Sequence, residues 1–131
     1  MPLIYVDLLD NRTDAQVATL LDAVHAAVVE AFEVPERDRY QVVNVHRPGH
    51  MVVQDTGLGI DRTDDVVVIR VVSKRRSVPR KQRLYELLAT NLARDCGIAA
   101  SDLVVSVVEN DAPDWSFGHG VAQFVTGDLP S

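Results

Sequence analysis

The run Val66-Val67-Val68-Ile69-Arg70-Val71-Val72-Ser73, closed by Lys74-Arg75-Arg76 and followed at once by Ser77 and Pro79, decides the fold. Six of its eight residues are β-branched and apolar, which predicts a strand with few polar groups on either face. Ser77 can cap a helix that has Pro79 in its first turn, and Leu84, Leu88 and Leu92 recur at helical spacing. Leu103 to Val108 reads as the next strand. The order is strand, helix, strand.

The same order precedes it. Pro2 to Leu9 is a short β-rich run, and Thr13 with Gln16 makes a capping-box start for a helix over 14–33. Val17, Leu20, Leu21, Val24, Val28 and Phe32 line one face of that helix, Val34-Pro35 stops it, and Tyr40 to His46 is a strand. A shift of 64 residues sets Leu20 on Leu84, Leu21 on Tyr85, Val24 on Leu88, Val28 on Leu92, Phe32 on Cys96, Val34 on Ile98 and Asp38 on Asp102. These matches suggest an internal duplication within one domain spanning 1–131, with repeats over about 2–46 and 66–110 and a tail over 111–131.

Each unit needs a right-handed crossover between parallel strands, with both helices on a common sheet. The expected fold is α/β (α+β): a four-stranded mixed sheet with two helices on one face. The other face is apolar with no third helix to cover it, so another subunit is the economical cover. Arg47-Pro48-Gly49-His50 and Asp55 to Gly59 are turns around a possible short strand, Met51–Gln54. The tail carries Trp115, Phe117, Phe124 and Leu129 among glycines, as a lid or subunit contact or as packing on the sheet edge.

Composition narrows the function. The chain has 131 residues, 13 Lys+Arg against 19 Asp+Glu for a formal net charge of −6, and 5% aromatic residues. Neither phosphate neutralisation nor base stacking is provided for, so nucleic-acid and anionic-membrane partners are not expected. Cys96 is the single cysteine, which excludes an intrachain disulfide and points to a reducing cytoplasm. The amino terminus lacks the pattern of a signal peptide, and no stretch approaches the roughly 20 apolar residues of a membrane span. His46 and His50 have helical metal-pair spacing, but Pro48-Gly49 precludes that helix; neither a metal nor a cofactor is expected. His25, His119 and Cys96 read as packing or surface groups more than as site residues.

If a pseudo-twofold axis relates the units, the first strand runs antiparallel to the third. Pro2 then lies beside Lys74–Arg76, and Asp38, preceding the second strand, falls at the same end. Pro2 follows the initiator methionine, and removal of Met1 would expose a rigid secondary amine able to act as acid or nucleophile. The plain alternative is a strand-edge proline that prevents pairing.

Eight short motifs in order carry a resemblance over essentially the whole chain. They are Pro2-Leu3-Ile4, Asp38-Arg39-Tyr40-Gln41, His46-Arg47-Pro48-Gly49, Asp55-Thr56-Gly57-Leu58-Gly59, Arg94-Asp95-Cys96-Gly97-Ile98, Val108-Glu109-Asn110, Asp114-Trp115-Ser116-Phe117-Gly118 and Thr126-Gly127-Asp128-Leu129. Together they resemble the malonate semialdehyde decarboxylase family of the tautomerase superfamily. The resemblance implies a duplicated β-α-β fold assembled as a homotrimer. It also implies a cofactor-independent carbon–carbon lyase converting malonate semialdehyde (3-oxopropanoate) to acetaldehyde and carbon dioxide. In it Pro2 is the catalytic amino-terminal proline, Asp38 its acidic partner, Arg76 a cation for the substrate carboxylate, and Trp115, Phe117, Phe124 and Leu129 the apolar wall. Where the family pattern Arg-x-Arg has its first arginine this chain has Lys74, a point donor rather than a planar fork. Arg75 would face away in an extended segment unless a bulge turned it inward. The alternatives are a superfamily hydratase, dehalogenase or tautomerase of small unsaturated or 2-oxo acids, and a non-catalytic trimer that binds a carboxylate.

Overall fold

A computed structural model describes residues 2–130; Met1, on whose removal the expected chemistry depends, and Ser131 lie outside the described residues. The chain forms β1 (Leu3–Leu9), α1 (Asp14–Phe32), β2 (Tyr40–His46), β3 (Val67–Lys74), α2 (Val78–Cys96) and β4 (Leu103–Asn110). Short helical turns at Ala100–Asp102 and Ala112–Asp114 and a last one, α3 (Gln123–Thr126), complete it. Met51–Gln54, expected as a strand, lies outside the sheet. Its neighbours are the turn at Arg47–His50 and a loop in which both Asp55 carboxylate oxygens accept the backbone N–H groups of Gly57 and Gly59.

Local chemistry sets the helix ends. Thr13 and Gln16 close a reciprocal capping box, satisfying two otherwise orphaned N–H groups at the start of α1. Ser77 accepts the N–H of Arg80 at the start of α2, and Gly97, at φ 66°, takes the left-handed position that ends it.

The sheet order is β2-β1-β3-β4. β1 pairs parallel with β2, β3 parallel with β4, and β1 antiparallel with β3, so a half-turn about an axis between the central strands exchanges the two units. Ile4, Val6 and Leu8 of β1 and Val67, Ile69 and Val71 of β3 point toward the helices and are buried with Leu20, Val24, Val28, Phe32, Leu84, Leu88 and Leu92. α1 is, by length and mean hydropathy (19 residues, 1.3), apolar enough to cross a membrane, which the sequence reading did not anticipate. Its apolar side packs on the sheet and on α2, burying eight of its residues, as in the core helix of a globular fold.

The repeat-related residues keep their environments unevenly. Leu20 and Leu84, and Val24 and Leu88, are fully buried pairs, whereas Cys96 is only half-buried where Phe32 is enclosed. Asp38 and Asp102 are both buried, at opposite ends of the sheet. Asp102 accepts the Thr63 N–H at 2.7 Å and the Thr63 hydroxyl at 2.5 Å. The counterpart of Pro2 is Val66, and that of Arg76 is Arg12, which donates to the Asp65 carbonyl at 2.7 Å. The second face of the sheet leaves Tyr40, Val42 and Val108 exposed.

Candidate active site

Three strand ends meet at one edge of the fold. Register sets Leu3 opposite Val72 on β3 and Tyr40 on β2, so one step further Pro2 lies beside Ser73 and Arg39. Pro2 is buried and shares the helix-facing phase of Ile4 and Val6.

Asp38 is held by the turn before β2. Its N–H donates to the Pro35 carbonyl at 3.0 Å, and His25 of α1, itself buried, donates from Nε2 to the Glu36 carbonyl at 2.6 Å. Arg39 reaches Asp22 at 2.9 Å and Gln41 donates to the Leu21 carbonyl at 2.8 Å, tying the segment to α1 on both sides. Burial raises the Asp38 carboxyl above its ordinary value, while nearby positive charges, Arg76 and His25 among them, pull the other way.

The three basic residues separate. Arg75 is 78% exposed and pairs with Asp111 at 3.2 Å, away from the site. Lys74, the last residue of β3, sets its ammonium 4.1 Å over the Phe124 ring. Arg76 takes a third direction: its Nε–H donates to Ser73 Oγ at 3.2 Å and its guanidinium lies 4.8 Å over the Phe32 ring. Strand alternation would put Lys74 and Arg76 on one face, as the sequence predicts. Alternation stops at Lys74 because Glu109 Oε2 takes the Arg76 N–H at 2.8 Å while the chain turns into the cap of α2. The cations therefore flank the Pro2 end, Arg76 from the helix side and Lys74 from under the tail. Burial lowers the Arg76 pKa, the nearby charge of Arg80 adds to this, and Asp38 opposes it.

The tail builds an aromatic cluster. Trp115 stacks on Phe117 (centroids 5.4 Å, 12°), Phe124 meets Phe117 edge-on at 5.5 Å, and Trp115 Nε1 donates to Asn110 at 2.8 Å. Leu129 is half-buried and closes the tail through its N–H on the Gln123 carbonyl. A cavity of about 360 Å³ lies against this cluster, lined by Leu3, Tyr40, Val72, Asn110, Trp115 and Phe117 among others. A larger one, about 450 Å³, sits at the opposite end beside Arg12 and Cys96 and includes none of the residues around Pro2.

Sequence reasoning missed Ser73, Phe32 as the surface under Arg76, Glu109 as the group that turns the chain, and Tyr40, 5.7 Å from Phe117. One signal was available: Ser73 is the polar position in the helix-facing series Val67, Ile69, Val71, Ser73. His119 is exposed, and no group of three or more metal-ligating side chains occurs among the described residues.

Comparison with known proteins gives a consistent picture. Two family profiles, each described as tautomerase enzyme, match residues 38–118 and 2–61. The probable tautomerase YrdN of Bacillus subtilis (strain 168) is 54% identical over 129 residues, covering 98% of this chain and 100% of that protein. Among solved structures, a malonate semialdehyde decarboxylase, described with decarboxylase and hydratase activities, is 54% identical with a TM-score of 0.95, covering 97% of this chain and 98% of that one. Another malonate semialdehyde decarboxylase, inhibited by 3-bromopropiolate, is 41% identical with a TM-score of 0.94 and 98% coverage of both chains. A fused 4-OT symmetric trimer shares the fold at 20% identity and a TM-score of 0.77, over 95% of this chain and 98% of that one.

Proposed function

This chain belongs to the tautomerase enzyme family, and within it we propose a cofactor-independent decarboxylase of malonate semialdehyde, acting as a homotrimer. The observation that carries the reading is the convergence at one sheet end of Pro2, the buried Asp38 and two cations with an aromatic wall, in a chain 54% identical to a solved malonate semialdehyde decarboxylase.

The chemistry follows from these groups. Removal of Met1 turns the Pro2 nitrogen into a secondary amine, and the negative charge of an ionised Asp38 favours its protonated form. Arg76 and Lys74 hold the carboxylate of 3-oxopropanoate. The ammonium of Pro2 donates to the aldehyde oxygen. The bond between C2 and the carboxyl carbon then breaks with its electron pair passing toward that oxygen, carbon dioxide leaves, and a proton returned to C2 gives acetaldehyde. The aromatic wall favours neutral carbon dioxide over carboxylate. The reaction balances with one proton and no cofactor.

The trimer reading rests on Tyr40, Val42 and Val108, left exposed on a second face that also carries the Asp7–His46 pair and Arg70, and on the assembly of the fused 4-OT neighbour. A cytoplasmic location rests on the single cysteine. The name of the Bacillus relative favours a second reading, tautomerisation, and the hydratase activity described for the 54% identical solved structure extends it to hydration; small unsaturated or 2-oxo acids are the substrates this reading proposes. A product survey on protein whose loss of Met1 has been verified by intact mass separates them. Carbon dioxide and acetaldehyde from malonate semialdehyde are the expected result. Turnover of unsaturated or 2-oxo acids without decarboxylation would overturn the primary reading.

A further inference from the structure

We propose that Ser73 selects the edge of Arg76 that a substrate carboxylate meets. The inference rests on the reading above in assigning Arg76 to the carboxylate. A guanidinium offers two forked edges, one made by Nη1 and Nη2 and one made by Nε and an Nη. Ser73 Oγ occupies Nε at 3.2 Å, closing the second edge. Phe32 lies under the plane at 4.8 Å, and the Glu109 carboxylate holds the residue's own N–H at 2.8 Å, so backbone, face and one edge of Arg76 are all engaged. No hydrogen bond among the described residues uses Nη1 or Nη2 of Arg76. The fork left open is the end-on one.

The cost of Ser73 argues that it is there for a purpose. It is fully buried, in register with the apolar Val67, Ile69 and Val71, where a small apolar side chain would pack without a hydroxyl to satisfy. Register also sets it opposite Pro2, so the hydroxyl that orients Arg76 stands beside the amine-bearing residue. Ser73 is thus a positioning residue: it acts on substrate through Arg76. Without it the Nε–H is released to pair with an Nη, the carboxylate can meet either edge, and its distance to Pro2 is no longer set.

The test uses malonate, which has the carboxylate but no aldehyde, as a calorimetric probe of processed trimer, together with steady-state kinetics on malonate semialdehyde. Ser73→Ala is expected to weaken malonate binding about five- to tenfold and to raise KM more than it lowers kcat. Ser73→Thr, which keeps the oxygen, restores binding to within about twofold of wild type. In an Arg76→Ala background Ser73→Ala has no further effect, because the interaction it removes is already gone. That cycle decides the matter even if the threonine variant fails to fold. Wild-type malonate affinity in Ser73→Ala, equal losses in both backgrounds, or no malonate binding by the wild type would each overturn the inference. Malonate binding that obeys the cycle in a protein releasing no carbon dioxide would remove the decarboxylase reading and leave the Ser73 assignment standing.

Discussion

Replacing Lys74 by Ala should reduce kcat/KM by about tenfold to hundredfold, whereas Arg75→Ala should leave it within about twofold. The contrast is worked from where the two side chains go. Lys74 is half-buried with its ammonium 4.1 Å over Phe124, a ring only 7% exposed, so the charge is partly shielded from water and its contact with a carboxylate is not cheaply replaced by solvent. A hydrogen bond to a charged group contributes about 1.5–3 kcal/mol, which at about 1.4 kcal/mol per decade gives the stated range. The contact with the ring is worth about 0.5–2 kcal/mol on its own, so the variant should also melt slightly earlier as Phe124 loses its partner. Arg75 is 78% exposed and its pair with the 62% exposed Asp111 falls in the class of surface bridges worth about 0–1 kcal/mol. Acetaldehyde production, followed through its reduction by an excess of alcohol dehydrogenase and NADH, reports both variants, with melting curves to verify folding. Because uniform binding affects KM alone, the loss in Lys74→Ala should appear mainly in KM. A severe Arg75→Ala with a harmless Lys74→Ala would show that the cations serve the site in the opposite assignment and refute the reasoning.

Further outcomes follow from burial and assembly. Burial raises the Asp38 carboxyl above its ordinary value of 3.8, so the stability tied to that proton is fully present below 3.8 and is lost as pH rises through the raised value. Asp38→Asn should accordingly abolish activity yet raise the Tm at neutral pH, the gain shrinking as pH falls toward 3.8; a lower Tm at neutral pH would contradict the burial argument. Leu88→Ala should cost about 2–5 kcal/mol in urea unfolding because Leu88 is fully enclosed, while Leu58→Ala, at a residue 74% exposed, should change stability by less than about 0.5 kcal/mol. Light scattering of the processed protein should give three times the chain mass; a stable, fully active monomer at micromolar concentration would count against the trimer.

The fold was legible because its signals are periodic and local. The Thr13/Gln16 box, the stripe Leu84, Leu88, Leu92 and the run at 66–73 each act within a few residues, and the 64-residue repeat turns two local readings into a topology. Met51–Gln54 misled because a short apolar run between two turns has too few residues to hold a strand without a partner. The placement of the candidate residues was legible in outline, since register follows from topology and topology brings Pro2, Asp38 and the basic cluster to one end. The interior of the site was not. Lys74 and Arg76 diverge because Glu109, 33 residues away, takes a backbone N–H, and no spacing rule announces such a bond. Ser73 was missed, although it is the polar position in the helix-facing series Val67, Ile69, Val71, Ser73.

Asp38 and Asp102 stand at equivalent places in the two halves, one raised by burial beside Arg76, the other capped twice by Thr63. Were the halves identical chains, every change at one aspartate would be made at the other, and a single residue would have to satisfy both duties. Joining them in one polypeptide lets the two ends of the sheet drift apart. On the proposed function, one end keeps a costly, poorly solvated carboxyl for chemistry, while the other uses the same residue as a rivet. On that reading each chain carries one working end, and a trimer would carry three, where unjoined identical halves would carry six that could never be tuned separately.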